Sequence, residues 1–334
     1  MGNGPGQLKY TVFRLAAWAA PRVPGWLGRG AARLVGLAMW ALAPGARRRA
    51  ESALRHIPAL AQDNARCAQA VRGVFQHLAL NYLDLFRVPS RPPAAIARDL
   101  RVEGHEALDA ALARGRGVVL LAAHLGNFEE AAAYVGDLGT PVTLLVERLR
   151  PERLFALVRG LRSHHGVRAV PADSTETLRE LFAALRRGEM VLITGDRDVL
   201  GSGQETPLFG MPTRLPTGPA LLAQRSGAAL IGAFSWRETG GRSRGRFVPI
   251  DLEEAEPGAM GPVSGAASAA VGGTTAVRVR HRTDVARLLV PVARTLEAQI
   301  AAHPEQWVAA LAPVWAESQI ETGDGASGKE GDGH

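Results

Sequence analysis

Cysteine, lysine and tyrosine are all scarce in this chain. Cys67 is the only cysteine among 334 residues, which excludes an intrachain disulfide framework and Cys-based zinc sites. It stands in the helical run "NARCAQAVRG" and is expected as a packed core thiol. Lys9 and Lys329 are the only lysines, so the cationic charge is nearly all arginine. The arginines are spread out and tyrosines number 3, so no base-stacking module is visible and nucleic acid is not an expected partner. No G-x-S-x-G elbow occurs, which argues against a serine hydrolase on an α/β sheet. Within the first fifty residues the longest uncharged run is 13 residues, 34–46. A spanning helix wants about 20.

What is present is a hydrophobic content of 46% and a net charge of +7. The first affords a sizeable core. The second favours anionic partners such as anionic lipid or a phosphorylated substrate. Residues 10–49 interleave Arg14, Arg22, Arg29 and Arg33 with Trp18, Trp26 and Trp40. That pattern fits helices lying in a membrane interface, with arginines on phosphates and tryptophans at headgroup depth. Arg47, Arg48 and Arg49 add attraction to an anionic cytoplasmic leaflet. Peripheral attachment to the cytoplasmic face of the cell membrane is therefore expected, against the plainer reading of a helical pair packed on its own domain.

Residues 48–88 read as two helices broken near Pro58, with His77 and Tyr82 placed in core or surface rather than in a lipid cleft, and "PSRPP" reads as a linker. Beyond it, apolar strands such as "GVVLLAA", "PVTLLVE", "EMVLITGDRD" and "AALIGAFSW" alternate with helical runs. Ser174 or Thr175 is placed to cap one of those helices, and residues 282–307 read as a final helix. The alternation predicts an α/β fold with a largely parallel central sheet flanked by helices. The expected organisation is an N-terminal helical membrane-associating region over 1–93 and an α/β domain over 94–317. It carries a flexible Gly/Ala insertion at 253–275 and ends in a disordered tail at 318–334.

The chemistry concentrates in "LLAAHLGNFEEAAAYVG", residues 120–136. Reacting groups in an open α/β sheet collect at the carboxyl ends of strands. His124 stands at such an end, and Gly126 lets the chain turn. Asn127 is suited to cap the next helix, with Glu130 completing a reciprocal box. Glu129 is left over. A tight turn would fold it back onto the imidazole, fixing the tautomer so that the other ring nitrogen takes a proton. With no nucleophile in view, the base would act on a substrate hydroxyl directly. Amides at the helix start after Gly126 are one expected oxyanion donor.

"HLGNFE" resembles the H-x4-D/E box of the late lipid A acyltransferases and the phosphatidylinositol mannoside acyltransferases. Three further blocks resemble that superfamily in the same order: "VERLRPERLFALVRGLRSHHGVRAVP", "GDRDVLGSGQETPLFGMPTRLPTGPALLAQRSGAALI" and "HPEQWVAALAPVW". The wording "ERLRPERLF" is nearer to the actinobacterial mannoside enzymes. The resemblance implies transfer of a fatty acyl chain from acyl-CoA or an acyl carrier protein to a sugar hydroxyl of a membrane glycolipid, with no metal and no bound cofactor. By motif, His124 carries over as general base and Glu129 as its orienting carboxylate. Glu147 and Arg162 carry over as groups that hold the acceptor and position the reacting groups, with Arg162 a second expected oxyanion donor and Arg148 the competitor for Arg162. Asp198 and Glu205 are both candidates for a further polar site residue. His164 and His165 are expected at the surface.

The chain departs from the pattern in "LFG", which stands for a doubled aromatic and is expected to reshape the acyl groove, and in the length of the 253–275 insertion. Competing readings are a lauroyl or myristoyl transferase acting on lipid A, and a peripheral lipid-binding protein without turnover.

Overall fold

The computed structural model describes residues 5–253 and 274–315, so most of the 253–275 insertion and all of the 318–334 tail lie outside the described residues. The chain begins with four helices: α1 (Pro5–Ala19), α2 (Gly25–Leu42), α3 (Pro44–Arg55) and α4 (Asn64–Arg87). There follow α5 (Pro93–Asp99), β1 (Leu100–Glu103), α6 (His105–Ala113), β2 (Val118–Ala122), α7 (Phe128–Gly136) and β3 (Val142–Val146). Next come α8 (Glu152–Arg162), β4 (Val167–Pro171), α9 (Thr175–Arg186) and β5 (Met190–Thr194). The hairpin β6 (Gln204–Leu208) and β7 (Met211–Leu215) leads to α10 (Gly218–Ser226), β8 (Ala229–Arg237), β9 (Ser243–Ile250) and α11 (Thr274–Ala302).

Seven strands form one sheet in the order β1-β9-β8-β2-β5-β3-β4. The run β8-β2-β5-β3-β4 is parallel, β9 reverses against β8, and β1 runs parallel to β9. The largely parallel, helix-flanked sheet is the predicted one. β2 is buried at every position, as a central parallel strand requires. Several elements were not apparent in the sequence. The "PSRPP" stretch opens α5, β1 and β9 form a reversed edge, and "LFG" is the turn of the β6–β7 hairpin. The last helix ends at Ala302, ahead of Pro304, so Trp307 lies in a separate segment. Ser174 does cap α9, accepting the Glu176 amide at 3.1 Å. Cys67 is fully buried, as expected.

α3 and α4 share a core with the sheet through residues such as Leu54, Phe75, Val119 and Leu121. α2 approaches α4 along Gly28, Ala32 and Gly36, one residue per turn. A Cβ on Gly36 would lie 2.6 Å from the Gln76 Cα, so only glycine lets the two backbones meet. The outer faces of α1 and α2 stay apolar: Trp18 is 62% exposed, Trp26 73% and Leu34 68%. Trp40 differs from expectation. It is half-buried between the guanidinium groups of Arg47 and Arg72, at 5.2 and 4.8 Å. Among the described residues no helix is long and apolar enough to cross a membrane.

Candidate active site

β2 and β5 are parallel neighbours with Ala122 opposite Thr194. Each strand runs two residues further to a polar side chain, so the same register carries His124 to Asp196. Asp196 Oδ1 meets His124 Nδ1 at 2.9 Å, and Oδ2 accepts the His124 backbone amide at 2.9 Å. The indole Nε1–H of Trp307 also donates to Oδ2, at 2.9 Å. Asp196 is fully buried. Burial pushes its carboxyl up, but the adjacent His124 ring and the donors from His124 and Trp307 outweigh that and hold it below the ordinary carboxylate range. An ionised acceptor at Nδ1 keeps the proton there and leaves Nε2 as the basic nitrogen. The His124 side chain is 28% exposed and lines a cavity of about 980 Å³.

This corrects the expected partner of the imidazole. Glu129 does sit in the first turn of α7, but its carboxylate faces α8. It accepts from Arg162 Nε at 3.1 Å and from Nη2 at 2.5 Å. No hydrogen bond joins it to His124 among the described residues. Sequence proximity favoured Glu129; sheet register brings Asp196 instead. The expected cap is also absent. Asn127 turns its side chain to Glu130 and to Ser243 Oγ at 3.2 Å, and Glu130 is ion-paired with Arg91. Burial pushes the Glu130 carboxyl up against the pull of that arginine.

The turn after His124 is gripped on all sides. Gly126 has φ 61°, and a Cβ there would fall 2.1 Å from the Ser235 carbonyl oxygen. Its amide donates to the Gln306 carbonyl at 3.1 Å, and its carbonyl accepts from Arg237 Nη1 at 2.8 Å. The His124 carbonyl accepts from the Val308 amide at 2.9 Å. Arg237 reaches on to Asp84 Oδ2 at 2.7 Å and to His77 Nδ1 at 3.2 Å. A guanidinium only donates, so His77 Nδ1 is unprotonated. Burial, helped by the charges of Arg237 and Arg33, lowers the His77 pKa to about 3.

The cavity lies at the carboxyl ends of β2, β5 and β3. Consecutive strand residues face opposite sides of a sheet, and both Leu144 with Leu145 and Leu192 with Ile193 line it. It therefore wraps the sheet edge, with Leu181 of α9 in its walls and, contrary to the core or surface place expected for it, Tyr82 of α4. Its lining is mostly apolar, and its volume is at the upper end of ordinary small-molecule sites, about 300–1,000 Å³. Glu129, Glu147, Arg162 and Asp198 all line it. Glu147 is ion-paired with Arg197, which also lines it. Asp198 accepts the Gly203 amide at 2.7 Å and so closes the 198–203 loop.

Other candidates fall elsewhere. Glu205 is exposed on β6, opposite Arg214 and outside the lining. Arg148 is spent on Asp173 and Glu152 at the surface. The "LFG" turn does not line the cavity, so it does not reshape it directly. His164 is exposed, whereas the His165 ring is packed between Asp137 and the Val88 carbonyl rather than at the surface. Among the described residues no three His, Cys, Asp or Glu side chains converge as a metal site. Asp196, the partner of the imidazole, is not among the candidates read from the sequence. Its signal was present in "GDRD", an acid two positions past a strand, as His124 is past its own.

Residues 22–260 match the family described as bacterial lipid A biosynthesis acyltransferase. Two strains of Mycobacterium tuberculosis have a phosphatidylinositol mannoside acyltransferase that is 30% identical over 262 residues, covering 77% of this chain and 72% of the relative. A protein of the same name from Mycolicibacterium smegmatis is 29% identical over 188 residues, 56% of this chain and 62% of the relative. An imidazole at a strand end, opening on a mostly apolar cavity, is thus found in a chain that belongs to the bacterial lipid A biosynthesis acyltransferase family and is related to the actinobacterial phosphatidylinositol mannoside acyltransferases.

Proposed function

We propose that this protein transfers a fatty acyl chain from an acyl thioester, acyl-CoA or acyl carrier protein, to a sugar hydroxyl of a glycolipid. The favoured acceptor is a mannose of phosphatidylinositol mannoside. The observation that carries the reading is the His124–Asp196 pair facing a largely apolar cavity of about 980 Å³. His124 Nε2 takes the proton of the acceptor hydroxyl as its oxygen attacks the thioester carbonyl. Asp196 stabilises the imidazolium that forms. The tetrahedral intermediate collapses with loss of the thiolate, which receives the proton back from His124. General-base help of this kind contributes roughly 10²–10⁴-fold. The apolar lining holds the chain, each buried methylene contributing about 0.8 kcal/mol.

Glu129 then acts through Arg162, holding that guanidinium at the cavity wall toward the polar part of the acceptor. Glu147, Arg197 and Asp198 supply further polar groups there. The exposed Trp18, Trp26 and Leu34, with exposed Arg14, Arg22, Arg29 and Arg33 beside them, support seating of α1 and α2 on the cytoplasmic face of the membrane. A lipid A acceptor is the second reading, favoured by the family match.

The test is mass spectrometry of glycolipids formed from purified protein, palmitoyl-CoA and each acceptor. An added acyl group on phosphatidylinositol mannoside, lost in His124→Ala, is the expected result. Acylation of lipid A alone would replace the acceptor. Absence of acyl transfer to either, with acyl-CoA and with acyl carrier protein, would overturn the reading.

A further inference from the structure

α4 presents two stripes to the site. Leu78, Tyr82 and Leu85 line the cavity, while His77 and Asp84 grip Arg237. Asn81 belongs to both. It is 4% exposed, lines the cavity, and accepts from Arg237 Nη2 through Oδ1 at 2.5 Å. A guanidinium has no acceptor, so the amide atom that faces it is the oxygen and the orientation of the amide is fixed. The other end, Nδ2, is buried and has no hydrogen-bond partner among the described residues. A buried donor left unmatched is costly, and such an orphan on a residue that lines a cavity points to a ligand oxygen as its partner.

What that oxygen is follows from the neighbours. The guanidinium that holds Asn81 also holds the Gly126 carbonyl, two residues from His124. A cation on Oδ1 polarises the amide and strengthens its N–H groups as donors. Such a donor, out of water, is best matched to an oxygen that gains negative charge during reaction. Arg162, one donor expected from the sequence, is engaged through Nε and Nη2 with Glu129, and the Gly126 amide that precedes the helix start is engaged with Gln306.

We propose that Asn81 Nδ2 donates to the thioester carbonyl oxygen of the acyl donor as it becomes the tetrahedral oxyanion. This rests on the acyl-transfer reading above. The acceptor oxygen bonds to the carbonyl carbon, its proton passes to His124, and the carbonyl π pair moves onto the oxygen that Asn81 holds. The pair returns as the C–S bond breaks, and the thiolate leaves with the proton from His124.

The test uses full-length protein with palmitoyl-CoA, and compares Asn81→Ala, the near-isosteric Asn81→Asp and the amide-retaining Asn81→Gln. Two rates are read: transfer to the glycolipid, and thiol release by water without any acceptor. Both kcat values are expected to fall about 10²–10³-fold in the Ala and Asp variants, with donor KM little changed and thermal unfolding still cooperative. Gln is expected to recover part of the loss. A folded Ala or Asp variant with near-native kcat would overturn the proposal, as would a rise in glycolipid KM alone with water-dependent release intact. Should Ala and Asp both fail to fold, a folded Gln variant with partial kcat in both rates upholds the proposal, and one changed only in glycolipid KM sinks it. Wild-type protein inactive in both rates would instead defeat the acyl-transfer reading, and this assignment with it.

Discussion

Trp307 and Asp196 meet through a single indole hydrogen bond of 2.9 Å, made to the carboxylate oxygen that also takes the His124 amide. Trp307 is fully buried, so no water replaces that donor if the nitrogen is removed. Trp307→Phe should destabilise the protein by about 1–3 kcal/mol. It should also raise the Asp196 carboxyl toward the ordinary range, visible as an acid limb of the rate profile moved to higher pH. An unchanged melt and an unchanged profile would show that the indole merely fills space.

Asp196→Asn keeps the shape but puts an amide where the imidazole needs an ionised acceptor. The ring loses its tautomer and its counter-charge. The expected fall in kcat is about 10²–10⁴-fold with KM little altered. Steady-state kinetics on palmitoyl-CoA and glycolipid decide it. If Glu129→Gln cost more than Asp196→Asn, Glu129 rather than Asp196 would be the group that serves the imidazole.

Glu129→Gln leaves Arg162 without its counter-ion, and the Arg162 side chain is 27% exposed. Partial access to water softens the loss, so about 1–3 kcal/mol is expected rather than the full cost of a deeply buried pair. The double variant with Arg162→Met should recover part of the stability in urea titrations while acceptor KM stays raised. Additive losses would mean the two groups are not coupled.

His77 gives a signed pH dependence. In the fold its pKa is lowered to about 3, while its ordinary value is 6.5. Between these values the unfolded chain binds a proton that the folded chain does not. Stability therefore falls as pH drops from about 6.5 toward 3, by up to about 1.4 kcal/mol per pH unit. Asp196 enters only at the acid end of that window, since its depressed carboxyl contributes stability that is lost as pH falls below the ordinary carboxylate range, 3.8 for an aspartate. Glu130, raised by burial, works with the opposite sign near that range. The clean observable is the difference between wild type and His77→Gln, whose slope above pH 5 should be flatter. Parallel slopes would refute the assignment.

Trp18 and Trp26 expose most of their surface on α1 and α2. Replacing both with Glu should weaken co-sedimentation with anionic vesicles by about tenfold or more, since a large apolar side chain contributes about 1.5–3 kcal/mol when buried. Activity on a soluble short-chain donor should be spared. Unaltered vesicle binding would exclude these helices as the attachment surface.

Much of this was legible from the chain. Apolar runs alternating with helical ones gave the parallel sheet, and His124 was marked by its place past such a run. What escaped was non-local. Glu129, five residues from His124, looked like its partner, whereas Asp196 is 72 residues away and adjacent only because β2 and β5 pair in register. The β6–β7 hairpin and β9 were missed because their half-exposed residues give weak apolar runs. Asn81 reads as one more polar residue on a helix until Arg237, from β8, is seen to hold its oxygen.

The imidazole owes its seat to residues 306–308, which clasp the turn that carries it. A nascent chain therefore has no working centre until that segment has cleared the ribosome, whatever else has folded. A protease that nicked the chain just ahead of it, and released the piece, would unseat His124 while leaving every described strand on the fragment that remains.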